Sequence, residues 1–181
     1  MNKMIKLPLF LGATAAICGS VLAVTNYFTK DKIAQGEAER VNAAYKAHFP
    51  TLRYKSFEEV SESLSSNGVR EKIYCFDDSK SYIGTIYTCD AVGFAGKSNP
   101  IKFTVSFKDG LLNSYVTISH GESAAGASFI NWLDSDSGNI THLDQDPTGS
   151  TFSHNAVAKM VSLVSADYTA EYTTIGTYEG E

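Results

Sequence analysis

The sequence has little of what marks several function classes. Lysine and arginine number 15 against 20 aspartates and glutamates, for a net charge of −5. No basic cluster is interleaved with aromatics, so the electrostatic footprint of a nucleic-acid-binding surface is missing. Cysteine is scarce, with only Cys18, Cys75 and Cys89. Neither the cysteines nor the histidines (His48, His120, His142, His154) stand at metal-ligand spacing. Asp134-x-Asp136-x-Gly138 begins like a calcium loop, but its glycine falls one position early and no glutamate closes it, so it reads as a polar turn. Ser123 lies near His120 and Glu122, yet no nucleophile elbow surrounds it and no oxyanion glycine pattern accompanies it, which argues against a serine hydrolase. Internal repeats and low-complexity tracts are absent.

What is present suits a packed protein. Apolar residues make up 43% of the 181 positions and aromatics 12%, enough for a core and a length that fits an anchor plus one domain. Cys75 and Cys89 fall in two strand-like segments joined by a short turn. They read either as ordinary core thiols or, if the strands pair in the right register in an oxidising compartment, as a disulfide.

The N-terminus carries the longest apolar run, Leu7 to Val24, without a charge and preceded by Lys3 and Lys6. Its length matches a membrane-spanning helix and also a signal peptide. Three readings compete: an uncleaved anchor with the lysines holding the N-terminus in the cytoplasm, a signal cleaved after Val21-Leu22-Ala23, and a lipoprotein acylated at Cys18, before which Ile17 is bulky. The anchor is favoured because Thr25 to Phe49 continues with helical spacing (Ile33, Ala34, Ala38, Val41, Ala44, Tyr45) and no breaker follows Ala23. All three place the main domain beyond the membrane.

Pro50 ends this stalk. Phe57–Ser66 is a candidate amphipathic helix stopped by Asn67-Gly68. Strand-like runs follow at Val69–Phe76, Tyr82–Thr88, Ile101–Phe107 and Leu111–Ser119, with turns at 77–80 and 108–110. Phe103, Val105 and Phe107 alternate with Lys102, Thr104 and Ser106, the pattern of a half-buried strand, and Asp109-Gly110 marks a tight hairpin. Ala127–Leu133 reads as a short helix carrying Trp132, and His154–Val164 as a last helix with Val157, Met160, Val161 and Val164 inward. The expected fold class is α+β, an antiparallel sheet with helices packed on it.

One segment combines turn and helix signals with a hydroxyl. Asp146-Pro-Thr-Gly-Ser-Thr-Phe-Ser153 sets Thr151 just after a glycine turn and just before the N-terminus of the last helix, where free N–H groups and the dipole favour a phosphate. The plain alternative is a helix cap built from Thr151 or Ser153 with Gly149 as a turn residue.

Taken with its context, this segment resembles the FMN-binding domain family found in the G subunit of the Rnf/Rsx electron-transport complex and the C subunit of the sodium-translocating NADH:quinone reductase. Four segments carry the likeness in order: the N-terminal run ending Thr25-Asn-Tyr-Phe-Thr-Lys-Asp-Lys-Ile33; Gly93-Phe-Ala-Gly-Lys-Ser-Asn-Pro-Ile101 leading to the Lys-Asp-Gly turn; His120-Gly-Glu-Ser-Ala-Ala-Gly126 with Trp132-Leu133; and Thr148-Gly-Ser-Thr-Phe-Ser153. Ser150 stands where the family usually has alanine, Ser123 where it has threonine, and Asp146 is displaced by one.

The resemblance implies FMN joined through its phosphate to Thr151 by a separate Mg²⁺-dependent flavin transferase that uses FAD. It implies that Thr148, Gly149, Ser150 and Ser153 shape the motif and that Glu122, Ser123 and Gly126 contact the flavin. It implies a transmembrane anchor over 1–28, a helical stalk over 29–49 and an extracytoplasmic FMN-binding domain over 50–181. The partners would be other membrane subunits of an ion-translocating electron-transport complex. Alternatives are a stand-alone extracellular flavinylated protein and a flavin-free anchored binding module of the same fold.

Overall fold

The computed structural model describes residues 3–135, 143 and 149–180, and the chain divides into two units, residues 1–40 and 41–181. Helix α1 runs without interruption over Lys3–His48. Within the first unit it is long and apolar enough to cross a membrane, with none of its apolar window buried by protein. The hydroxyls there are consistent with an apolar solvent. Thr14, Ser20, Thr25 and Thr29 each donate to the carbonyl four residues back, at 2.7–2.8 Å, so no hydroxyl proton on these side chains needs water.

The second unit is built on one antiparallel sheet of five strands in sequential order. These are β1 (Tyr54–Glu58), β2 (Val69–Phe76), β3 (Tyr82–Ala91), β4 (Ile101–Lys108) and β5 (Leu111–Ser119), with helix α2 (Glu62–Ser66) between β1 and β2. Helices α3 (Ala124–Ser135) and α4 (Thr151–Glu171) follow, and a 3-10 turn covers Tyr172–Thr174. The β4–β5 hairpin closes through Asp109 (φ 53°) and Gly110 (φ 80°), the two positive-φ residues that a tight two-residue turn requires.

Both faces of the sheet are covered. On one, α4 lies across β3 and β4 while α3 packs on β5 and α4. Phe103, Val105, Phe107 and Tyr115 meet Phe129, Ile130 and Leu133 of α3 and Val157, Met160, Val161 and Val164 of α4 in a single core. On the other, Tyr45 and Phe49 pack with Ile73, Cys75 and Ile86. The covering of this second face changes the reading of β4: Thr104 and Ser106 are as buried as Phe103 and Val105, so the strand is not half-buried. Alternation predicts a wet face for those hydroxyls. Instead His48 caps them, with Nε2 2.8 Å from Thr104 Oγ1 and Nδ1 2.5 Å from Ser114 Oγ, and Ser114 Oγ lies 2.9 Å from Ser106 Oγ. Burial pulls the His48 pKa down to about 4.

Further expectations are corrected at element ends. Phe57–Ser66 is not one helix. Tyr54–Glu58 pairs with β2, Phe57 opposite Ile73, and only Glu62–Ser66 is helical. The open edge of β2 offers 54–58 a hydrogen-bonded ladder that local spacing does not reveal. The last helix starts at Thr151 rather than His154 and continues to Glu171. Its added C-terminal turns place Asp167 and Glu171 against buried Lys72. The Lys72 ammonium donates to Asp167 at 2.8 Å and to Glu171, while Tyr87 and Tyr74 hydroxyls donate to the same two carboxylates. Burial pulls the Lys72 pKa down, but the hydrogen bonds that its ammonium donates to Asp167 and Glu171 outweigh it and the net direction is up.

Cys75 and Cys89 are free buried thiols. Cys75 lies opposite Gly84 and Cys89 opposite Val69, and the two belong to the clusters on opposite faces of the sheet. The register therefore rules out the disulfide.

Candidate functional site

The residues singled out by sequence converge where α3 and α4 begin. Ser150 is the N-cap of α4, and the first intrahelical bond runs from His154 N–H to the Ser150 carbonyl at 3.0 Å. The amides of Thr151, Phe152 and Ser153 precede that bond, so they form the positive end of the helix. Gly149 has φ +69° with open space where a Cβ would stand. Its requirement is conformational, because the left-handed backbone that turns the chain into α4 strains any L side chain. Thr151 is exposed and Ser153 fully buried.

Ser153 is buried because it reaches Glu122. Its hydroxyl donates to Glu122 Oε2 at 2.5 Å, and the backbone N–H of Ala95 donates to Oε1 at 3.1 Å. One buried carboxylate thus joins three segments: the glycine loop around 93–96, the loop entering α3 and the first turn of α4. The packing around it leaves no spare volume. A Cβ on Gly93 would stand 2.5 Å from Oε1, and one on Gly126 would strike Oε2. Both glycines are explained by the close approach of this side chain.

In front of this junction is a cavity of about 300 Å³, at the lower end of the range for small-molecule sites. Ser123, Gly126, Gly149, Ser150 and Thr151 line it, together with Ala125, Phe94 and Phe152. The structure therefore brings together five of the eight residues named from sequence. Glu122 and Ser153 sit behind the cavity wall and hold it. Thr148 lies outside the described residues, as do Asp146 of the same segment and Asp136 and Gly138 of the calcium-like turn.

Phe94, Ala125 and Phe152 are the lining residues that sequence reasoning did not name, and Phe94 is the least expected of them. It lies in the glycine loop already noted for its likeness, but a single aromatic among glycines carries no periodic signal. Only the bond from its neighbour Ala95 to Glu122 brings it to the cavity. His120 does not join Glu122 and Ser123 in a catalytic arrangement. Its Nδ1 is buried without a hydrogen-bond partner among the described residues, and both oxygens of Glu122 are engaged elsewhere.

Residues 1–47 match the family model described as the RnfG N-terminal region. The chain is similar to the G subunit of the Rnf complex. The match covers nearly all of α1 and ends before β1. It supports closeness to the G subunit of an Rnf-type complex through the N-terminal region. No curated protein and no solved structure matches the chain.

Proposed function

We propose that the protein is a membrane-anchored electron carrier with FMN covalently bound to Thr151, working as a subunit of an Rnf-type ion-translocating electron-transport complex. The observation that carries this reading is the position of the Thr151 hydroxyl. It is exposed, on the rim of a small-molecule-sized cavity, and at the positive end of α4. The likeness of the N-terminal region to RnfG supplies the context.

Each group has a task in this reading. The Thr151 oxygen attacks the FMN-side phosphorus of FAD in a flavin transferase. The Thr151 O–P bond forms, the bond between the two phosphates breaks, AMP leaves and the hydroxyl proton is released. Gly149 and Ser150 leave the approach to that oxygen uncluttered. The leading amides of α4 stabilise the phosphodiester anion. Ser123 and Gly126 present a hydroxyl and bare backbone to the cavity, while Glu122 and Ser153 keep its two halves in register. FMN, when bound, supplies the redox chemistry, and the protein sets its position and surroundings.

The apolar segment over 1–28 is the anchor and residues 29–49 the stalk, with Lys3 and Lys6 holding the N-terminus in the cytoplasm and the domain over 50–181 outside it. Covalent attachment suits that side, where a dissociated cofactor would not be recaptured. The partners are the other membrane subunits of the complex. Co-expression with a flavin transferase should add the mass of one FMN and give a fluorescent band in a denaturing gel, both lost in Thr151→Ala. An unchanged mass in the presence of active transferase would overturn the reading. Purification from mildly solubilised membranes should bring several polytopic partners, and a protein that purifies alone would argue for a stand-alone carrier.

A further inference from the structure

We propose that Phe94 and Phe152 form the seat of the isoalloxazine ring, an aromatic notch beside the attachment hydroxyl; the proposal rests on the reading that Thr151 carries FMN. Phe94 and Phe152 are 69% and 74% exposed as residues, and their ring centroids lie 6.4 Å apart at an interplanar angle of 59°. Among the described residues of the second unit the exposed phenylalanines are Phe57, Phe94 and Phe152, and only the last two are neighbours. Isolated exposed apolar side chains need no explanation, but adjacent aromatic ones at a cavity are the kind of patch that is covered in use.

Their exposure is imposed from behind. The residue after Phe94 donates its backbone N–H to Glu122, and the residue after Phe152 donates its hydroxyl to the same carboxylate. One buried group thus pins both segments by their inward residues and leaves the phenyls side by side outside. Free loops would let two such rings fold onto the core, and here the anchoring prevents it. The rings line the same cavity as Thr151, and Phe152 is its sequence neighbour.

The occupant this geometry fits is a flat aromatic tethered at Thr151. The rings are tilted, not parallel, so they make an open V in place of a sandwich. A planar ring system can lie on the face of one phenyl and meet the edge of the other, which is how aromatic groups of opposite face and edge polarity pair. Phenyl groups offer no hydrogen bonds, so the seat holds the ring plane and leaves the polar edge of the ring to the hydroxyl and backbone groups of Ser123 and Gly126.

The test uses full-length flavinylated protein in detergent, with intact mass read first. Steady-state fluorescence anisotropy of the attached flavin should be high in the native protein and fall about twofold or more in Phe94→Ala Phe152→Ala, with loss of fine structure in the visible band. Phe94→Trp should quench the flavin emission at least about fivefold through contact with the indole, whereas Leu111→Trp, at the exposed β4–β5 hairpin outside the cavity, should not. Phe94→Ala alone keeps the test open if a change next to Thr151 hinders the transferase. Full mass addition with unchanged anisotropy and no quenching by Phe94→Trp would overturn the seat while leaving the attachment intact. No mass addition to the native chain would sink the attachment reading itself.

Discussion

Replacing Glu122 should separate the residues that hold the site from those that face it. In Glu122→Ala two donors lose their acceptor, the buried Ser153 hydroxyl at 2.5 Å and the part-buried Ala95 amide at 3.1 Å. Ser153 is fully buried, so water does not replace the carboxylate without opening the junction. An unsatisfied buried donor costs about 1–3 kcal/mol and the part-buried amide less, so the pair should cost about 2–5 kcal/mol. For a domain of this size, 1 kcal/mol moves the melting temperature by about 2–4 °C, which puts Glu122→Ala about 4–20 °C below the native protein. Glu122→Gln keeps the shape and an acceptor for Ala95, and its amide can donate to the Ser153 oxygen, so it should lose only about 1 kcal/mol.

Thermal unfolding of the full-length protein in detergent, followed by near-ultraviolet circular dichroism, measures these shifts. A double-mutant cycle with Ser153→Ala then isolates the contact. A coupling of about 1–2 kcal/mol is expected, because each single change already removes the same bond. Strictly additive effects, or a Glu122→Ala protein melting within about 2 °C of native, would refute the clamp.

Three other outcomes follow from groups away from the cavity. His48 is neutral in the folded state down to about pH 4, whereas unfolded histidine titrates near 6.5, so the unfolded chain binds the extra proton in between. Stability should therefore be full above about pH 6.5, fall by up to about 3 kcal/mol as pH drops toward 4, and level off below, and His48→Gln should remove that slope in urea titrations. Lys72→Ala leaves Asp167 and Glu171 facing the sheet without their cation. It should cost about 3–5 kcal/mol by chemical denaturation, and Lys72→Met combined with Asp167→Asn should recover part of that loss. Cys75, whose thiol burial pushes up to about 12, and buried Cys89 should resist alkylation in the native protein and react on unfolding, as peptide masses would show.

Much of this protein was legible because its signals are local. The charge-free stretch from Leu7 to Val24 specifies an apolar helix by composition alone, and Asp109-Gly110 specifies its hairpin by the positive φ both residues adopt. Strand limits at Val69–Phe76 and Leu111–Ser119 coincide with their periodic runs. Gly149, Ser150 and Thr151 announced a turn into a helix and are one. Strand β1 was not legible, because its signal is a partner edge supplied by β2. Nor was the burial of Thr104 and Ser106, since a hydroxyl on an alternating strand reads as wet until His48 is placed over it.

By itself the sequence determined the α+β class, the apolar N-terminal helix, the order of four strands and the presence of a hydroxyl at a helix start. Each follows from spacing or backbone preference within a few residues. Only the tertiary structure decided that Cys75 and Cys89 face opposite ways, that Glu122 is turned inward as a clamp, and that Phe94 meets Phe152 beside Thr151. Those outcomes depend on sheet register and on contacts between segments as far apart in sequence as Ala95, Glu122 and Ser153, where no local pattern encodes which side chain will find which partner.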